Sequence, residues 1–145
     1  MLKQQVTGAR HVDNRKVLCG AISYSVDNPP ALTGVCHCKN CQRQAGSAFS
    51  TLAGVPLNEL HIFGETKVYT DPDTQSGNTV KRFFCDKCGS PIYSAVQSSP
   101  DMVYLKTGTL DDTSAFEPQF HLWCDTKQNW VGIPEGVPAM PGNPA

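Results

Sequence analysis

The chain has no surplus of positive charge. Twelve Lys and Arg stand against thirteen Asp and Glu among 145 residues, for a formal net charge of −1. That balance argues against a nucleic-acid partner, and the absence of any run of like charge argues against an acidic tail. No apolar stretch is long enough to span a bilayer. Residues 1–10 lack the apolar core of a secretory signal. These absences predict a cytoplasmic chain with no membrane partner. Hydrophobic residues make up only 39%, while glycine and proline number twelve and eleven. One loop-rich domain with a modest core is expected, in which a bound metal supplies part of the stability.

What the chain does have is cysteine. Cys36, His37, Cys38 and Cys41 read C-H-C-x-x-C, Cys85 and Cys88 read C-x-x-C, and Cys19 stands ahead of both. Zinc takes three or four soft ligands at tetrahedral angles, and two cysteines separated by two residues close a tight turn around one ion. Two such turns in one short chain are a strong metal signal where one is weak. Seven cysteines, an odd number, fit a disulfide framework poorly, and thiols stay reduced in the cytoplasm.

The pattern between these turns is that of a mainly β domain. Val17 to Val26 alternates, with Leu18, Gly20, Ile22, Tyr24 and Val26 on one side, and predicts a strand ended by Asp27-Asn28-Pro29-Pro30. The first metal turn follows, then a short helix over 40–45 ended by Gly46. Further short strands are expected over 49–55, 60–63, 67–70, 79–84, 92–96, 102–107 and 119–124. Residues 1–14 read as a loose lead-in and 15–130 as the zinc-binding β domain. Residues 131–145, with four prolines and three glycines, read as an extended or disordered tail. No internal repeat is visible beyond the cysteine turns.

Four segments together resemble the glutathione-dependent formaldehyde-activating (GFA) family, which includes domains like that of centromere protein V. They are L-C-G-A-I-S-Y (18–24), C-H-C-K-N-C-Q-R-Q-A-G-S-A-F (36–49), F-F-C-D-K-C-G-S-P-I-Y (83–93) and P-Q-F-H-L-W (118–123), with Trp130. The resemblance implies a folded-over β sandwich, the β-tent, with two zinc ions. It makes Cys36, Cys38 and Cys41 the ligands of a catalytic zinc, and Cys19, Cys85 and Cys88 ligands of a structural one. The family's first strand usually reads C-x-C-G, whereas Val17 stands here in place of the first cysteine. The structural site is then one thiolate short, either completed by His11, water or another side chain, or left to bind its ion weakly.

Three thiolates around zinc leave a fourth position open, the mark of a catalytic site. A thiol entering that position would lose its proton, and a carbonyl or hydroxymethyl oxygen would be polarised. The implied reaction is that of a carbon–sulfur lyase on a thiol–aldehyde adduct, such as S-hydroxymethylglutathione from glutathione and formaldehyde. A small-molecule thiol and a small aldehyde are the implied partners.

Other readings stand beside this one. Cys38 and Cys41 could close a single four-cysteine site with Cys85 and Cys88. The domain could be a non-catalytic zinc-binding β-tent that docks a protein, as Rab-exchange-type members of the wider fold do. Cys124, with no cysteine nearby in sequence, is by default a free buried thiol. Alternatively it is a redox nucleophile, as on a late strand of the B-type methionine sulfoxide reductases. His37, between two ligands, is either a fourth ligand or proton shuttle or, as expected, a side chain that points outward. His121 is expected to be packed and bonded to backbone rather than to act as an acid–base group. His61 reads as an ordinary strand residue. Arg43 and Gln44 either meet a substrate carboxylate or form a solvated helix face. Phe49, Phe84, Tyr93 and Tyr104 are expected in the core.

Overall fold

The computed structural model describes residues 15–143. The lead-in over 1–14, and His11 with it, lies outside the described residues. Nine strands and one α-helix make up the described chain, with three short 3-10 turns, so the domain is mainly β as the pattern predicts.

The first strand is shorter than the alternation suggests. β1 is Ser23–Val26, and Arg15 to Val17 fold back alongside it. Lys16 pairs with Ser23, and the Val17 amide donates to the Ile22 carbonyl at 3.1 Å. The chain turns between them, with Gly20 at φ +79°, a conformation glycine adopts without steric cost. Leu18 and Cys19 therefore sit on a hairpin tip, and Leu18 is 87% exposed. Ile22, Tyr24 and Val26 keep the expected inward phase.

β2, Leu32–Cys36, is not among the strands that the sequence pattern predicts. Gly34 interrupts its apolar pattern. The strand is held from both sides, antiparallel to β3 (Ser50–Pro56) and parallel to β9 (Phe120–Leu122). Its glycine is also required by contact: a Cβ there would lie 2.5 Å from the Phe120 ring. The helix α1 spans Lys39–Ala45 and ends at Gly46 in the left-handed region, as expected.

The other strands fall close to their expected places: β4 Leu60–Phe63, β5 Lys67–Asp71, β6 Val80–Phe84, β7 Pro91–Val96 and β8 Met102–Lys106. Seven strands form one sheet in the order β9-β2-β3-β8-β7-β6-β5, antiparallel except for β9 on β2. β1 and β4 form a separate antiparallel pair.

Alternation along each strand gives the long sheet two different faces. Ala53, Val55, Ile92, Val103 and Leu105 pack with Ile22, Tyr24 and Val26 into the main core. Complete burial of side chains such as Ile22 and Ile92 is worth roughly 1.5–3 kcal/mol each. Tyr93 packs against this core while stacked on Phe83. Leu52, Arg82, Ser94, Tyr104 and Lys106 belong to the other face and line a cleft. Tyr104 is thus a cleft residue rather than a core one, and Phe49 packs edge-on to His37.

The tail is extended rather than disordered over its described part. His121 donates its amide to Pro138 and accepts from the Met140 amide, and the Trp123 and Cys124 amides donate to Gly142 and Met140. This segment covers the outer edge of β9, which would otherwise present unpaired backbone groups.

Candidate metal centre

The end of β2 and the start of α1 carry the first cysteine group. Cys36 closes the strand, and Cys38 is the N-cap of α1, its sulfur accepting from the Cys41 amide at 3.2 Å. Extended backbone at Cys38 followed by one helical turn brings Cys41 back to the same side. The three sulfurs lie within 4.8 Å of one another, and all three residues are buried.

The turn is braced on every side. Gln42 donates through its amide to the carbonyls of His37 (2.7 Å) and Thr126 (3.0 Å), and the Thr126 hydroxyl donates to His37 O at 2.9 Å. Asn40 donates to Asp71 Oδ2, and the Lys39 amide donates to Gln75 Oε1. The strands and loops far away in sequence thus hold the cysteine turn before any ion enters it.

His37 points away from the sulfurs, as a residue between two ligands should. What lies there is packed protein, not solvent, which corrects the expectation of an outward side chain. The ring is fully buried against Phe49 and stacked on His121, with Nε2 of His37 2.9 Å from Nδ1 of His121. Burial, then the neighbouring His121, pushes the His37 pKa down to about 4. The side-chain partner of His121 is this second imidazole rather than backbone.

Electrostatics within the group are uneven. Hydrogen bonds from the Cys36 and Cys38 thiols hold Cys41 well below the ordinary thiol value, and Lys106 and Arg82 add to this. Cys38 and Cys41, then burial, push Cys36 up. Burial brings Lys106 below the usual lysine range, while the three cysteines pull it back up.

These two cations come from strands in which no motif marks a functional residue. Lys106, at the end of β8, donates to Ser50 Oγ at 3.0 Å, and Ser50 stands directly opposite Cys36 across β3 and β2. Arg82 on β6 is ion-paired through Nε with Asp71 Oδ2 at 2.9 Å, both nearly buried. The available signal was strand phase: Arg82 shares its face with Val80, and Lys106 shares its face with Tyr104. Neither Arg43 nor Gln44 lines the cleft; Arg43 is exposed, as a solvated helix face requires, whereas Gln44 is half-buried with its Oε1 out of solvent.

The cleft beside the buried group has a volume of about 480 Å³. Cys36, Cys38 and Cys41 lie at it together with Arg82, Lys106 and Trp123. Trp123 has φ +57°, rare for a bulky residue, and its indole donates to Asn143 of the tail at 2.8 Å. Strained backbone of this kind persists where the surroundings over-determine it.

The second group lies apart from the first. Cys19 at the hairpin tip faces Cys85 and Cys88, with the Cys19 and Cys85 sulfurs 3.8 Å apart. The turn from Cys85 to Ser90 is closed by bonds from Gly89 N to Cys85 O and from Cys85 N to Ser90 O. Its strand register shifts between Phe83 and Phe84, which frees the chain to turn. Ser90 Oγ accepts from the Leu18 amide, sits 3.2 Å from the Cys88 sulfur, and lowers the Cys88 pKa to about 6. Val17 is buried in the same core cluster as Cys85.

A single site shared by Cys38, Cys41, Cys85 and Cys88 is therefore not what the fold builds. Each group of three is separate, and Cys36 and Cys19 belong to them. Both fit zinc by chemistry and by size: the donors are all thiols, and tetrahedral Zn–S bonds of about 2.3 Å require sulfurs about 3.8 Å apart. Cys124 belongs to neither group. It opens a short 3-10 turn, half-buried, with its thiol directed to His121 O.

Fold and thiols together define a small mainly β protein with two cysteine groups able to hold metal ions. The chain belongs to the glutathione-dependent formaldehyde-activating enzyme family, whose model matches residues 14–126. It is 25% identical over 108 residues to a Talaromyces marneffei protein named "Putative glutathione-dependent formaldehyde-activating enzyme". That match covers 70% of this chain and 55% of the relative, so the chain spans about half of that protein's length. A crystal structure of a Rhodobacter sphaeroides protein shares the fold, with a TM-score of 0.53 at 21% identity, over 72% of this chain and 90% of that one.

Proposed function

We propose that the chain is a zinc-dependent carbon–sulfur lyase that makes and breaks thiol–aldehyde adducts, with glutathione and formaldehyde as the family's reactants. One observation carries the reading: three buried cysteines lie together at a cleft large enough for a small thiol. Cys36, Cys38 and Cys41 would hold the catalytic zinc, and Cys19, Cys85 and Cys88 the structural one. The catalytic ion would leave one position for substrate, lower the pKa of a bound thiol and polarise a bound oxygen.

In the forward direction the substrate sulfur forms a bond to the aldehyde carbon. The carbonyl π pair moves to oxygen, which takes up a proton, and the thiol proton is released. The chain's contribution is placement. The braced 36–41 turn fixes the sulfurs, and Leu52, Phe120, Leu122 and Trp123 give the cleft an apolar wall beside them.

The test is exchange of hydroxymethyl signals in NMR with glutathione and formaldehyde, then with other thiols. Enzyme-dependent acceleration is expected. A metal-loaded chain inert with every thiol would remove the lyase reading and leave the docking module in its place.

A further inference from the structure

We propose that Lys106 is the counter-charge that lets the buried Cys36–Cys38–Cys41 group hold its metal as three thiolates. The inference rests on the reading of that group as a zinc site. A divalent ion with three thiolates carries a net charge of minus one, and a fourth thiolate from substrate takes it to minus two. Such charge is costly away from water unless an opposite charge sits beside it.

Among the described residues two cations line the cleft with the group, and of these only Lys106 is without a carboxylate partner. Arg82 is already matched by Asp71 at 2.9 Å. Lys106 is buried, and among the described residues no carboxylate pairs with it. Its ammonium donates one described hydrogen bond, to Ser50 Oγ. An ammonium has three donors, so this bond leaves donor capacity unused. A buried cation held by one neutral hydroxyl is a poor arrangement on its own terms and a sound one beside an anionic cluster. The register supplies the proximity: Lys106 stands opposite Leu52, and its tether Ser50 stands opposite Cys36. Among the described residues no cation hydrogen-bonds to the Cys19–Cys85–Cys88 group, the surface group by virtue of its exposed Cys19, where Ser90 is the side-chain neighbour. The two groups are therefore an internal comparison within one molecule.

The experiment titrates the intact, zinc-loaded chain with a chromogenic chelator and reads two release steps, assigned with Cys38→Ser, which lacks the buried site. In Lys106→Met the buried step should move to at least about tenfold lower chelator concentration, with the surface step unmoved. Lys106→Arg should restore most of the loss. Ser50→Ala, which keeps the ammonium and removes its tether, should shift the same step by a smaller factor. Metal-free Lys106→Met should melt no lower than the metal-free parent, because it removes a buried charge. A packing role would instead lower metal-free melting and fail to separate the two steps. An unmoved buried step in both Lys106→Met and Ser50→Ala overturns the proposal, and so does a loss that Lys106→Arg does not repair. Release is read without turnover. A chain that keeps its zinc through Lys106 but turns over no thiol would remove the lyase reading and leave this one standing.

Discussion

Among single residues, the two kinds of cysteine make opposite predictions. Cys38 is buried, caps α1 and shares its group with Cys36 and Cys41. A serine hydroxyl is a far poorer zinc ligand than a thiolate. Cys38→Ser should lose the buried-site metal and all turnover of a thiol–aldehyde adduct. Cys124 touches neither group, and burial raises its thiol pKa, which leaves less of the reactive thiolate. Cys124→Ser should keep most of the activity, with metal content per chain unchanged. Retained activity in the first variant, or lost activity in the second with both metals bound, would shift the reaction to Cys124. Val17 offers a gain rather than a loss. It is buried in the cluster that contains Cys85, so Val17→Cys brings a thiol toward the Cys19–Cys85–Cys88 group. Zinc retention at that group should rise against a competing chelator. Equal retention would mean that another donor already fills the fourth place.

At the level of elements, the site depends on contacts between strands far apart in sequence. β5 contributes Asp71 and β6 contributes Arg82, and their ion pair is nearly buried, with side chains 12% and 6% exposed. Asp71 also accepts from Asn40 on α1 and from the Asp73 amide, so one carboxylate ties the cleft wall to the cysteine turn. Breaking a buried pair by removing one charge costs roughly 3–5 kcal/mol. Asp71→Asn should destabilise the chain by about 3 kcal/mol in chemical denaturation. It should also loosen the metal at Cys36–Cys38–Cys41 more than at the surface group. A loss under about 0.5 kcal/mol, the range of an ordinary surface change, would mean that the pair carries no weight.

On the scale of the whole molecule, metal bound at the two thiol groups would act as a pair of clasps. The surface group joins the 15–22 hairpin to the turn that links β6 and β7, and the buried group closes the junction of β2 and α1. Both lie in a chain of 145 residues with a modest core, and structural zinc can contribute on the order of 10 kcal/mol. A strong chelator should therefore lower the melting temperature sharply, and added zinc should restore it. Unchanged melting after proven metal removal would show that the fold stands without metal. No helix among the described residues is long and apolar enough to cross a membrane.

The sequence by itself determined what depends on local spacing. The two cysteine turns, the helix after the first, its glycine stop and most strands follow from residues a few positions apart. The family likewise was legible in four short segments, and its model covers residues 14–126. Only the tertiary structure decided what depends on pairing across the chain. β2 is a strand because β3 and β9 flank it, although Gly34 breaks its pattern. Residues 138–142 of the tail lie along β9 and the turn after it because the backbone there offers them hydrogen-bonding partners. His37 is buried because Phe49 and His121 fill the space behind the cysteine turn. Arg82 and Lys106 reach the cleft through strand phase and register, and no motif marks them. Spacing along the chain sets Cys36, Cys38 and Cys41 in one turn, but Cys19 meets Cys85 only through the fold, and the cation beside the buried thiols comes from 70 positions away, from Cys36 to Lys106.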